Sequence, residues 1–157
     1  MKITLLSIGK TDNNTFAQLI DEYRKRTNFY IPFETEIVPD IKNAKNLSEK
    51  EQKTKEGMQI LKALQPSDYV ILLDDKGKQL SSIEFAHFIE KKTHSVPKRL
   101  VFVIGGAYGF SEEMYAQANE KISLSKMTFT HQMVRLVFVE QLYRAMTILN
   151  NEPYHHE

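Results

Sequence analysis

At 157 residues, with 41% apolar and 26% charged side chains, the chain has the makeup of one ordinary folded domain, which excludes the disordered, collagenous and membrane-embedded classes. A formal net charge of +1 gives no support for the broad basic footprint of a nonspecific nucleic-acid binder, so any nucleic-acid contact must be local or assembled by oligomerisation. The absence of cysteine removes disulfides, thiolate metal sites and cysteine nucleophiles, and fits a cytoplasmic location.

Residues 2–8 are rich in branched apolar types and predict a first strand. The run is too short for a secretory signal, and polar Thr11-Asp-Asn-Asn14 follows it without a small-residue cleavage site. These polar residues offer helix caps, and Phe16, Leu19, Ile20 and Tyr23 then recur at helical spacing. Phe33 to Val38 alternates as a half-exposed strand ended by Pro39. Ser48-x-x-Glu51 has capping-box spacing and opens a charged helix with Met58, Leu61 and Leu64 on one stripe; the mixed signs between Lys45 and Glu56 fit a solvated helix better than an RNA-binding arm.

Tyr69 to Asp74 predicts a fully buried strand closed by two acids and a Lys76-Gly77-Lys78 turn. Ser81-x-x-Glu84 starts another helix, with Phe85, Phe88 and Ile89 facing in. Arg99 to Ile104 is the next buried strand, Ser111 caps a short helix, and Lys121 to Leu124 predicts a brief last strand. From about Gln132 to Leu149 runs a long helix, followed by a tail, Asn150 to Glu157. Strands alternate with helices throughout, which predicts a single α/β domain over residues 1–157, a mostly parallel sheet with helices on both faces. No apolar run approaches the roughly 20 residues of a membrane-spanning helix.

Two segments carry candidate chemistry. Leu100-Val-Phe-Val-Ile-Gly-Gly-Ala-Tyr-Gly-Phe110 is a buried strand emptying into a glycine loop, the place where open α/β sheets bind ligands. Gly105, Gly106 and Gly109 can take positive φ and admit a ligand close to the backbone, or simply make a tight turn. A dinucleotide fingerprint needs G-x-G-x-x-G on the first strand-to-helix turn, and a Walker loop ends in Lys-Ser or Lys-Thr; neither is present. The second segment, Ile122 to Arg135, is a short strand running through a hydroxyl-rich loop into the long helix. His131 lies near its start, and Arg135 one turn later on the same face. Capping by Thr130 or His131, with Arg135 as a surface charge, is the plain alternative.

Gly105-Gly106-x-x-Gly109, Ser123-Leu-Ser-x-Met-Thr-Phe-x-His-x-x-Val-Arg135, Glu140-x-Leu-Tyr-Arg-Ala145 and the terminal Asn151-x-Pro-Tyr-His-His-Glu157 together resemble the ribosomal RNA large subunit methyltransferase H family, in length and order over essentially the whole chain. The resemblance implies a SPOUT-class α/β domain whose C-terminal part is threaded into a trefoil knot. It also implies a homodimer that uses S-adenosylmethionine to methylate N3 of a pseudouridine in a stem-loop of 23S ribosomal RNA, in the assembled large subunit or ribosome, with no membrane and no metal. Cofactor positions would be Leu73, Gly105, Gly106 and the loop Ser125, Lys126, Met127, Thr128, Phe129 and Thr130. Two departures stand out. Thr130 replaces a proline common before the histidine, and Ala107-Tyr108 replaces a proline-glutamate pair, so that loop offers no carboxylate here.

Methyl transfer from a sulfonium needs alignment above all, whereas the N3 proton needs an acceptor or cationic groups that stabilise the imide anion. Candidate catalytic residues are therefore Arg135, Tyr154, His155 and His131, with Tyr154 offering a ring on which a flipped base stacks. Arg144 and His156 are candidate substrate-binding residues, and the plain alternative for Arg144 is a surface ion pair with Glu140 four residues earlier. The long helix is apolar on more than one face, since Met133, Val134, Leu136, Val137, Phe138 and Val139 follow with hardly a polar break, which points to a second subunit. A small α/β hydrolase would need the G-x-S-x-G elbow with an acid and a histidine in order, which is absent. The competing readings are a SPOUT methyltransferase of another RNA and a noncatalytic RNA- or ribosome-binding module.

Overall fold

The computed structural model describes all 157 residues. Five parallel strands lie in the order β2-β1-β4-β3-β5. They are β1 (Lys2–Ile8), β2 (Phe33–Val38), β3 (Tyr69–Gln79), β4 (Arg99–Ile104) and β5 (Glu120–Ser123). The helices are α1 (Asn14–Asn28), α2 (Glu49–Ala63), α3 (Ser82–Ser95), α4 (Glu112–Gln117) and α5 (His131–Leu149).

Each helix starts where its local chemistry requires. Asn13 Oδ1 accepts from the amides of Thr15 and Phe16, and Ser48 and Ser81 form reciprocal capping boxes with Glu51 and Glu84. Ser111 and Thr130 cap α4 and α5.

β4 is buried along its entire length, because it is central and covered on both faces. Leu100, Phe102 and Ile104 point to a core shared with α1, α3 and α5, where the Phe102 and Phe138 rings lie 4.8 Å apart. Val101 and Val103 point to the other face, against Ile60 of α2 and Met114 of α4. The expected helices on both faces are therefore present.

At the amino-terminal end of the strands, Arg99 is clamped by Asp68. Nε donates to Oδ1 at 2.9 Å and Nη2 to Oδ2 at 2.6 Å, while Nη2 also reaches the Ala63 carbonyl at 3.0 Å.

The Lys76-Gly77-Lys78 turn is corrected by the structure: β3 continues to Gln79. It pairs with β5 in two registers, first Leu73 with Ile122, then Lys78 with Ile122 and Gln79 with Ser123, with an irregularity between. Gly77 makes this crossing feasible, because a Cβ there would stand 2.5 Å from the Ile122 carbonyl carbon. That neighbour is backbone and cannot swing away. Gly77→Ala is thus expected to destabilise the protein by about 1–3 kcal/mol, read from chemical denaturation, and an unchanged midpoint would contradict this packing.

Candidate functional site

The carboxyl ends of β1, β4 and β5 finish beside the middle of β3, at Leu73 to Lys76, where α5 begins, and together they enclose a cavity of about 820 Å³. That is the size of a site for one small-molecule ligand, at the place where open parallel sheets bind them. Ile8, Leu73, Ile104, Leu124, Phe129 and Val134 give it an apolar wall.

The glycine loop forms one side. Of its glycines only Gly109 has positive φ, at +84°, where its amide donates to the Gly106 carbonyl at 3.1 Å in a tight turn. The expectation of positive φ at Gly105 and Gly106 is corrected. They are glycines because of close neighbours: a Cβ on Gly105 would lie 3.1 Å from the Phe110 ring, and one on Gly106 would lie 2.5 Å from the Glu56 carboxylate.

The loop between β5 and α5 forms the opposite side. Ser123 Oγ donates to the Ser125 carbonyl at 3.0 Å, and Ser125 Oγ accepts from the Met127 amide at 2.9 Å, so side chains hold the turn and leave other backbone groups free. Ser125, Met127, Thr128, Phe129 and His131 line the cavity, together with Leu73, Gly105 and Gly106. Lys126 and Thr130 do not. Met127 is 79% exposed at the rim of the cavity.

The remaining wall is acidic. Asp12, Asp40, Glu56, Asp74 and Asp75 line it, against Lys10 and Lys76. Burial opposes the charge on Asp74, but the Tyr115 hydroxyl and the Lys76 amide hydrogen-bond its carboxylate and hold it below the usual range. The same contact, with burial as the larger cause, pushes the Tyr115 phenol up to about 12.

Arg135 lies elsewhere than its sequence position suggested. It is only 3% exposed, and it donates from Nη2 to the Ile8 carbonyl at 2.8 Å and from Nη1 to Thr11 Oγ1 at 3.1 Å. It ties α5 to the loop after β1 and does not line the cavity, so it positions the wall instead of gripping a ligand. Burial lowers its pKa, partly offset by Asp12 and Asp40.

The tail forms a separate cluster. Tyr154 donates to Glu140 Oε1 at 3.0 Å, and Arg144 donates to the same oxygen from Nε at 3.1 Å and Nη2 at 2.6 Å. Arg144 covers one face of the Tyr154 ring at 4.7 Å, and its Nη1 reaches Nδ1 of His155 at 3.2 Å. A guanidinium can only donate, so this contact requires the His155 tautomer with its proton on Nε2. Burial and the hydrogen bonds with Tyr23 and Glu140 push the Tyr154 phenol strongly up. The ion pair of Arg144 with Glu140 exists as the plain reading expected, and it is also part of this cluster. His156 is exposed beside it.

Sequence reasoning missed the acidic wall. Glu56 had been placed in a solvated run, yet it is four residues before Ile60 and next to Gly57, on the buried stripe of α2. An acid on a buried stripe was the available signal. Asp40 left none, since only the sheet order brings the segment after β2 to this edge.

Residues 1–155 match the family model described as "Predicted SPOUT methyltransferase". A protein of Parabacteroides distasonis named ribosomal RNA large subunit methyltransferase H is 68% identical over 157 residues, covering 100% of both chains. Proteins of the same name from Phocaeicola vulgatus and Flavobacterium johnsoniae are each 60% identical over 157 residues, again covering 100% of both chains. Among solved structures, a probable methylase family protein from Haemophilus influenzae aligns with a TM-score of 0.55 at 14% identity, over 95% of this chain and 66% of that one, a likeness of fold.

Proposed function

The chain belongs to the SPOUT methyltransferase family, among the ribosomal RNA large subunit methyltransferase H proteins, and from that premise we propose that it methylates N3 of a pseudouridine in a stem-loop of 23S ribosomal RNA, in the cytoplasm, with S-adenosylmethionine as donor. The observation that carries this reading is the cavity at the strand ends, whose volume, apolar wall, free loop backbone and acidic side suit a nucleoside bearing a cationic amino-acid arm. Leu73, Met127 and Phe129 would hold the adenine, the backbone of the 125–130 loop its edge, and Gly105 and Gly106 the methionine part. When bound, S-adenosylmethionine supplies an electrophilic methyl on a sulfonium.

The protein's share is alignment and proton handling. The loops after β1, β4 and β5 orient the donor, and Arg135 keeps the first of them in place. His131, exposed at the mouth of the cavity, is the proton acceptor of this reading for the imide N3–H. Arg144, Tyr154, His155 and His156 form the acceptor side, supplying cationic and aromatic contacts to the target nucleotide.

Glu140 lies nine residues along α5 from His131, a rise of ~13 Å, and the tail packs there, away from its own cavity. The acceptor side therefore comes from a second copy in this reading, and the protein acts as a homodimer. The exposed Met133 and the half-buried Val137, one turn apart on α5, support such a contact. The family also implies the trefoil knot in the C-terminal part of the chain.

The test is incubation with labelled S-adenosylmethionine and ribosomes prepared with or without the pseudouridine, followed by mapping of the label. Label at N3 of that nucleotide, absent from the unmodified ribosomes, is expected. Label on another nucleotide or another RNA would overturn the acceptor assignment, and cofactor binding without any transfer would favour a noncatalytic role.

A further inference from the structure

Two glycines of the cavity each lie against a carboxylate. A Cβ on Gly106 would stand 2.5 Å from both carboxylate oxygens of Glu56, and one on Gly9 would stand 2.7 Å from Asp40 Oδ1. β1 and β4 are paired neighbours, with Ser7 opposite Ile104, so the two glycines leave adjacent strand ends and their carboxylates share one wall.

The fold makes little use of either acid. Glu56 is 6% exposed, its Oε1 has no hydrogen-bond partner, and its other oxygen receives only Gln52 Nε2 at 3.4 Å. It sits at the midpoint of α2, beyond the first turn where the helix dipole would favour a negative charge. Neither Glu56 nor Asp40 forms an ion pair, although Lys10 lines the same cavity. The buried cation nearby, Arg135, is turned toward Ile8 and Thr11. Burial and the charge of Asp40 push the Glu56 carboxyl up, with only the Gln52 contact opposing them. A buried carboxylate left without a cation is costly, and it persists where a ligand supplies the missing charge.

We propose that Glu56 and Asp40 are the receptor for a primary ammonium on the bound ligand, which on the reading above is the α-ammonium of S-adenosylmethionine. Gly106 is then a glycine because any side chain would displace the Glu56 carboxylate from the wall, and at Gly9 the same crowding against Asp40 adds to a positive φ of +78° that itself favours glycine. The pair faces an ammonium with three N–H donors, of which two carboxylates accept two. This inference rests on the cofactor reading and deepens it by naming the residues that read the amino-acid arm.

Titration calorimetry on the full chain tests it with three compounds: S-adenosylmethionine, S-adenosylhomocysteine, and an S-adenosylhomocysteine analogue with hydrogen in place of the α-amino group. The native protein is expected to bind S-adenosylhomocysteine at least about tenfold more tightly than the deamino analogue. Glu56→Gln, nearly isosteric, should remove most of that difference by weakening only the amine-bearing ligands. Asp40→Asn, at an exposed residue whose change leaves the core intact, should act in the same direction. Unchanged affinity of Glu56→Gln for S-adenosylhomocysteine, with or without lost turnover, overturns the assignment, as does equal weakening of all ligands. If the native chain binds none of the three, the cofactor reading itself fails, a result distinct from binding that ignores the amine.

Discussion

Asp68→Ala will cost about 3–5 kcal/mol of folding stability, the usual penalty for removing one partner of a buried ion pair. The Asp68 side chain is fully buried and holds Arg99 by two hydrogen bonds of 2.9 and 2.6 Å. Removing it strands a guanidinium that is 11% exposed, with only the Ala63 carbonyl and a 3.3 Å contact to Glu36 remaining. Against a typical total of about 5–15 kcal/mol, such a loss brings the protein close to unfolding. The site stands at the start of β4, a strand length of ~20 Å from the cavity at its other end, so on the cofactor reading proposed above the folded fraction should bind S-adenosylmethionine as tightly as the unsubstituted protein. Chemical denaturation gives the stability and calorimetry the affinity. A loss below about 1 kcal/mol would mean that the pair is solvated like a surface bridge. Replacing both residues with apolar ones of similar volume should restore much of the loss, because no charge is then left buried alone.

Deleting residues 151–157 is expected to lower methyl transfer by at least about 100-fold while leaving cofactor binding unchanged. The segment holds Tyr154 and His155, which pack on Glu140 and Arg144 and take no part in the cavity lining. Its removal exposes no core, since Tyr154 and His155 are half-buried and the rest of the segment is exposed. Retained turnover would show that the tail is a passive end. A mixing experiment asks which subunit supplies it. A chain without the tail, combined with a Gly106→Val chain whose cavity is blocked, should regain part of the activity if one copy's tail serves the other's cavity. If both variants form dimers and no activity returns, the tail acts in its own chain.

The elements of the fold were readable because their signals are local. The capping serines at 48, 81 and 111 named their helices, and the unbroken apolar run from Leu100 to Ile104 announced a strand covered on both faces. The failure at Lys76-Gly77-Lys78 is instructive. A glycine between two lysines reads as a turn, but Gly77 serves a strand crossing against Ile122, a residue 45 positions away in sequence. At Gly106, likewise, the glycine was visible and its reason was not, because that reason is a carboxylate on α2. Arg135 shows the converse. Its type and spacing suggested a ligand contact, while its surroundings made it a buried tie to Ile8 and Thr11.

By itself the sequence determined the α/β alternation, the helix starts, the buried strands and the loop at 125–130, since caps, hydrophobic periods and glycine breaks act over a few residues. The tertiary structure alone decided that Glu56 and Asp40 share a wall with Gly9 and Gly106, and that the Tyr154 cluster stands apart from the cavity of its own chain. Both outcomes follow from the strand order β2-β1-β4-β3-β5 and from the length of α5. The order sets which strand ends become neighbours and the helix sets how far the tail lies from them, and both are settled when distant segments pack together.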